Sequence, residues 1–102
     1  MTKEEQYFLD VGNNVADSEK SQLFGKPCFK INGKAFCCFF QSEMVFKLMG
    51  EQHRDALSLD SAKLFDPSGK GRAMKEWVQV PYEYNDMWET FAKAALEYVG
   101  RK

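Results

Sequence analysis

The stretch Lys26-Pro27-Cys28-Phe29-Lys30-Ile31-Asn32-Gly33-Lys34-Ala35-Phe36-Cys37-Cys38-Phe39-Phe40 decides the fold. Asn32-Gly33 sits between two apolar, β-forming runs. Both central residues of the tightest hairpin turn need positive φ, which Asn and Gly tolerate best. A two-residue loop pairs Ile31 with Lys34, Phe29 with Phe36 and Cys28 with Cys37. Directly opposed residues share a face. The expected core face therefore holds Phe29, Ile31, Phe36, Cys38 and Phe40. The second face holds Lys26, Cys28, Lys30, Ala35, Cys37 and Phe39.

Working outward, Leu23-Phe24-Gly25 reads as extended chain leading into this hairpin. Met44 to Leu48 reads as a further strand with Met44, Phe46 and Leu48 on one side. Leu64-Phe65 and Lys75 to Val80 supply two more strands, the second ended by Pro81. Helical spacing appears three times. From Lys3 to about Ala16, Tyr7, Phe8, Val11 and Val15 share a face, although Gly12 costs about 1 kcal/mol against alanine. Glu51 to Leu59 offers Ala56 and Leu57 for packing. From Asp86 to Val99, the residues Trp88, Phe91, Ala92, Ala95 and Val99 line up, with Asp86 and Glu89 at capping-box spacing and Gly100 as the expected stop. Strands in hairpin order with helices before, between and after them predict an α+β, two-layer fold. An antiparallel β-sheet carries helices packed on one face, with a helix at each end of a single domain spanning 1–102.

A chain of 102 residues with 44% hydrophobic content suits one self-sufficient core. The net charge of −1 argues against a general nucleic-acid or membrane binder. No apolar run reaches membrane-spanning length, and the polar start Met1-Thr2-Lys3-Glu4-Glu5 is unlike a secretory signal, so a soluble, cytoplasmic protein is expected. The charge is nevertheless uneven. Lys20 to Lys34 contains four lysines and no acid, and Lys63, Lys70, Arg72 and Lys75 face only Asp66. Convergence of Lys26, Lys30, Lys70, Arg72 and Lys75 would make an anion-binding patch.

The three cysteines and the single His53 lack the spacing of a zinc site, and no metal or cofactor is expected. Counting outward from the turn makes Cys28 and Cys37 a non-hydrogen-bonded pair, about 4.5 Å apart at Cα. That separation is within disulfide range, which makes Cys28 and Cys37 a candidate redox pair. Vicinal Cys37 and Cys38 point to opposite faces. The glycine-rich Asp66-Pro67-Ser68-Gly69-Lys70-Gly71-Arg72 lacks the spacing of a phosphate-binding loop and runs into a strand rather than a helix. A nest of its amides with Lys70 and Arg72 beside it is the remaining route to an anion.

Leu23-Phe24-Gly25, Cys28-Phe29-Lys30-Ile31-Asn32-Gly33 and Gly71-Arg72-Ala73-Met74-Lys75-Glu76-Trp77-Val78 together resemble the TfoX amino-terminal domain family. That family shows a Phe-Gly turn, an Asn-Gly hairpin and a Gly-Arg-Pro-Met-Lys-Gly-Trp-Val stretch in this order. Ala73 replaces its usual proline and Glu76 its frequent glycine. The resemblance implies a two-layer α+β domain and supplies no catalytic residues. The expectation is a non-enzymatic regulatory or interaction domain that contacts a protein partner or a second copy of itself. Its second sheet face, bearing cysteine, phenylalanine and lysine, is expected to be incompletely covered. The alternative is weak anion or nucleic-acid binding around the glycine-rich loop.

Overall fold

A computed structural model describes residues 2–15, 17–23, 25–67, 69, 71 and 73–101. The elements run α1 (Lys3–Asn13), β1 (Glu19–Leu23), β2 (Lys26–Ile31), β3 (Lys34–Phe40), β4 (Glu43–Lys47), α2 (Gly50–Leu57), β5 (Lys63–Phe65), β6 (Met74–Val80) and α3 (Asn85–Gly100). Six strands form one antiparallel sheet in the order β1-β2-β3-β4-β6-β5. The α+β architecture expected from the sequence is present, with a helix near each end of the chain.

The Asn32-Gly33 turn forms as read, with φ of 53° and 79°. Ile31 pairs with Lys34 and Lys30 with Ala35, and then the register slips. Phe29 lies opposite Cys37, and Cys28 lies opposite Cys38. A β-bulge at Phe36-Cys37 inserts one residue into β3, and a one-residue slip reverses every side chain beyond it. The expected faces are therefore corrected. Phe29 and Phe36 lie in the helix-side core and Cys28 on the other side as expected, but Cys37 joins the helix-side core and Cys38 the cluster on the other side. Phe39 and Phe40 exchange sides for the same reason.

The helix-side core is built as the periodicities predict. Phe8, Val11 and Val15 of the α1 region, Met44, Phe46 and Leu48 from the β4 region, and Trp88, Phe91, Ala92, Ala95 and Val99 of α3 are all buried. Gly12 proves to be a packing requirement. A Cβ there would meet the Phe29 ring at 2.0 Å, so the helix lies directly on the sheet only because glycine has no side chain. Thr2 caps α1 by accepting from the Glu5 N–H at 3.1 Å. At α3 the expected Asp86 cap is absent. The helix emerges from a short 3-10 turn, Tyr82–Tyr84, with Tyr84 at the cap position and Asp86 in the first turn. There its charge still complements the helix dipole. Gly100 ends up within α3 instead of stopping it. Trp88 is fully buried, donates its indole N–H to the Pro81 carbonyl at 3.3 Å, and meets Tyr7 and Tyr82 edge-on.

The far face is covered only in part, and without a helix. Cys28, Cys38, Val45, Phe65 and Trp77 form a second buried cluster without a helix, flanked by Leu23, Ala35, Phe40 and Met74. Phe65 and Met74 stand at the two ends of the glycine-rich loop, so the chain leaving and re-entering the sheet supplies part of the cover. Phe40 packs edge-on against Phe65 at 5.1 Å, and Phe65 lies 6.5 Å from Trp77. Lys26 and Lys47 extend their ammonium groups over the rings of Phe40 and Trp77.

Candidate functional site

At the end of the sheet where β3 turns into β4, a cleft of about 530 Å³ opens on the far side. Its walls come from three places. Phe40 and Gln41 belong to the β3–β4 turn, Lys63 and Leu64 to edge strand β5, and Asp66, Pro67, Gly69 and Ala73 to the glycine-rich loop. Gln79 of β6 also lines it and is the buried polar residue among those described, only 2% exposed. Burying an amide is costly unless its hydrogen bonds are replaced. Here the Gln79 Nε2 donates to Glu43 Oε1 at 2.6 Å, which fixes the amide against β4.

Each flanking segment carries a local constraint. Gln41 and Ser42 have φ of 51° and 66°, two successive non-glycine residues in the left-handed region. Conformations of this kind cost on the order of 1 kcal/mol each and persist where the surrounding structure enforces them. On the other wall, the Asp66 carboxylate ties the loop together. Its Oδ1 accepts from the Gly69 N–H at 3.0 Å and its Oδ2 from the Gly71 N–H at 2.9 Å. These are amides that an anion nest would have used, and an internal carboxylate already engages them.

Of the basic residues singled out from the sequence, Lys26, Lys30 and Lys75 are described, and they are spread over the sheet. Lys26 places its ammonium over the ring of Phe40, which lines the cleft, but does not itself line it. Lys30 lies four residues further along β2, roughly 13 Å at strand spacing, beside the Asn32-Gly33 turn. Lys75 is exposed near the start of β6, four residues from Gln79. Neither Lys30 nor Lys75 lines the cleft, and Lys70 and Arg72 lie outside the described residues. Among the described residues, the cation that lines it is Lys63, which the charge count included without a role.

His53 is half-buried, and its Nε2 sits 2.7 Å from the Lys75 carbonyl, tying α2 to β6. Glu76 accepts from the Tyr98 hydroxyl at 2.8 Å and lies 3.8 Å from Lys47 Nζ. These contacts join the helix layer to β6. A smaller hollow of about 240 Å³ lies between Met49 and Gln52 near the start of α2 and Tyr98 and Arg101 at the end of α3. Arg101 is paired there with Glu97, and Met49, 61% exposed, stands at its lip.

Cys28, Cys37 and Cys38 are free and buried. Burial pushes the Cys38 thiol up to about 12, with the neighbouring Cys28 adding to the rise. Burial also raises Cys28, partly offset by Lys30, and raises Cys37 well above the ordinary thiol range. The expected pairing of Cys28 with Cys37 is not the one the register makes, since Cys37 lies on the helix side. Among the described residues no group of three or more His, Cys, Asp or Glu is placed to hold a metal ion, and no helix is long and apolar enough to cross a membrane.

Sequence reasoning missed Gln79, Glu43 and Lys63. Gln79 is a lone amide in the apolar run Trp77-Val78-Gln79-Val80, and that break in pattern was the available signal. Compared with known proteins, the chain matches no family model, no curated protein and no solved structure.

Proposed function

We propose that this chain is a cytoplasmic, non-enzymatic interaction domain that receives an extended segment of a protein partner along β5, with one partner side chain seated in the cleft. The carrying observation is the continuity of the cleft with an edge strand. Lys63 and Leu64 line the cleft and also belong to the last strand of the sheet. An edge strand offers main-chain groups to an added strand, and an adjoining pocket supplies side-chain selectivity. The left-handed Gln41-Ser42 turn and the Asp66 hydrogen bonds to Gly69 and Gly71 would lower the ordering cost of binding. The three free thiols accord with a reducing compartment. The resemblance to the TfoX amino-terminal domain family points the same way, toward contact rather than catalysis.

Ala73 is exposed and lines the cleft, so Ala73→Trp should fill it without disturbing the core. Crosslinking of the tagged chain in cells, followed by mass spectrometry, should recover a protein from the wild type that is lost with Ala73→Trp. Light scattering distinguishes a second copy of this chain from a different partner. Identical crosslinked sets for both variants would refute the reading. Anion binding is the second reading, favoured by Lys63 in the cleft wall and Lys26 over the ring of Phe40. It requires affinity for phosphate that falls with salt and with Lys63→Ala.

A further inference from the structure

We infer that Cys28 and Cys38 form an oxidative modification site, a cross-strand dithiol that a hydroperoxide converts to a disulfide beneath the cleft. Three observations carry this. The two residues are register partners on adjacent strands. Both belong to the small far-face cluster, while Cys37 belongs to the helix-side core. The bulge also sets the kind of pair they make.

The closing pair of a two-residue hairpin, Ile31 and Lys34, is hydrogen-bonded, so Lys30 and Ala35 are the next, non-hydrogen-bonded pair. Phe29 then faces the bulged Phe36-Cys37 at a hydrogen-bonded position, which returns Cys28 and Cys38 to a non-hydrogen-bonded one. Such pairs stand about 4.5 Å apart at Cα with their side chains on one face, inside the range a disulfide spans, about 4.4–6.8 Å. Without the bulge this position would have belonged to Cys37.

The chemistry balances with a hydroperoxide as oxidant. One thiol loses its proton, and its sulfur attacks a peroxide oxygen. The O–O bond breaks, leaving a sulfenic acid, and the departing oxygen takes up the proton to leave as water when the oxidant is hydrogen peroxide. The second sulfur, also deprotonated, attacks the sulfenic sulfur. The S–S bond forms and the hydroxyl leaves with the second proton as water. The thiol pair gives up two electrons and the peroxide accepts them. Because both thiols are buried, access is set by opening of the far-face cover, whose ends Phe65 and Met74 pack with the cysteines. Asp66 holds the loop between them. The resulting bond would lock β2 to β3 underneath Phe40, which lines the cleft.

The test is hydrogen peroxide treatment of the folded chain, alkylation of remaining thiols, intact mass and peptide mapping. The expected result is a loss of two hydrogens, one alkylated thiol at Cys37 and a Cys28–Cys38 crosslink. Cys37→Ala should oxidise as the wild type does, and Cys38→Ala should form no intramolecular disulfide. Asp66→Ala should accelerate formation several-fold. Mapping needs only the wild-type chain, so it stands even if a variant misfolds. Persistence of three alkylatable thiols after prolonged exposure, or a crosslink that includes Cys37, would overturn the inference.

Discussion

Each face of the sheet carries a buried cluster, but the two are closed by different means. On one side, α1 and α3 bring apolar stripes and α2 adds Ala56, Trp88 is enclosed by Tyr7 and Tyr82, and the helix layer is tied to β6 through His53 and Tyr98. On the other, a handful of residues centred on Phe65 and Trp77 are covered by strand ends and a loop pinned by one carboxylate. The helix layer carries the stability of the fold. The far side carries its features of chemical interest: the buried amide, the strained turn, the dithiol and the cleft.

The largest effect should come from the aromatic anchors. Trp88→Ala should cost about 4–5 kcal/mol in denaturant unfolding, and Trp77→Ala about 3 kcal/mol. Equal losses would remove the distinction between the faces. A second test uses pH. The Cys38 thiol is pushed from its ordinary 9.0 up to about 12 by burial. Between those values the unfolded chain loses a proton that the folded chain keeps, so stability falls as pH rises, by at most about 1.4 kcal/mol per unit from this thiol. Below pH 9 the thiol has no effect. Cys38→Ala should flatten that alkaline fall, and an unchanged slope would move the cause elsewhere.

Smaller effects probe the backbone. Gly12→Ala improves helix propensity but drives a methyl group into the Phe29 ring. A net loss of about 1–2 kcal/mol is expected in urea unfolding, and a gain would show that α1 can lift off the sheet. Ser42→Gly should raise stability by about 0.5 kcal/mol by relieving a left-handed residue at the rim. If thermal unfolding instead shows a loss, the serine side chain contributes more than its backbone conformation costs.

These features differ in how plainly the sequence announced them. The Asn32-Gly33 turn and the α3 stripe from Trp88 to Val99 are local patterns, and both formed as read. Gly12 read as a weak point because its partner, Phe29, is remote in sequence. The bulge was not legible, since Phe36-Cys37-Cys38 carries no glycine or turn residue to mark it, yet it decided which cysteine faces Cys28. Most of β1 was missed because Glu19-Lys20-Ser21-Gln22 is polar, as an exposed edge strand tends to be. The cleft needs β5, the β3–β4 turn and the loop to meet, which no window of sequence displays. Asp66 could be seen beside the glycines, but its engagement of their amides could not.

The most direct test of the recognition surface is an NMR titration of the ¹⁵N-labelled chain with a pool of short peptides of varied charge and apolarity. Shifts are expected at the Gly69 and Gly71 amides and at the Gln79 side-chain amide, abolished by Ala73→Trp. Shifts confined to Met49, Gln52 and Tyr98 at the helix-side hollow, or no shifts at all, would contradict it.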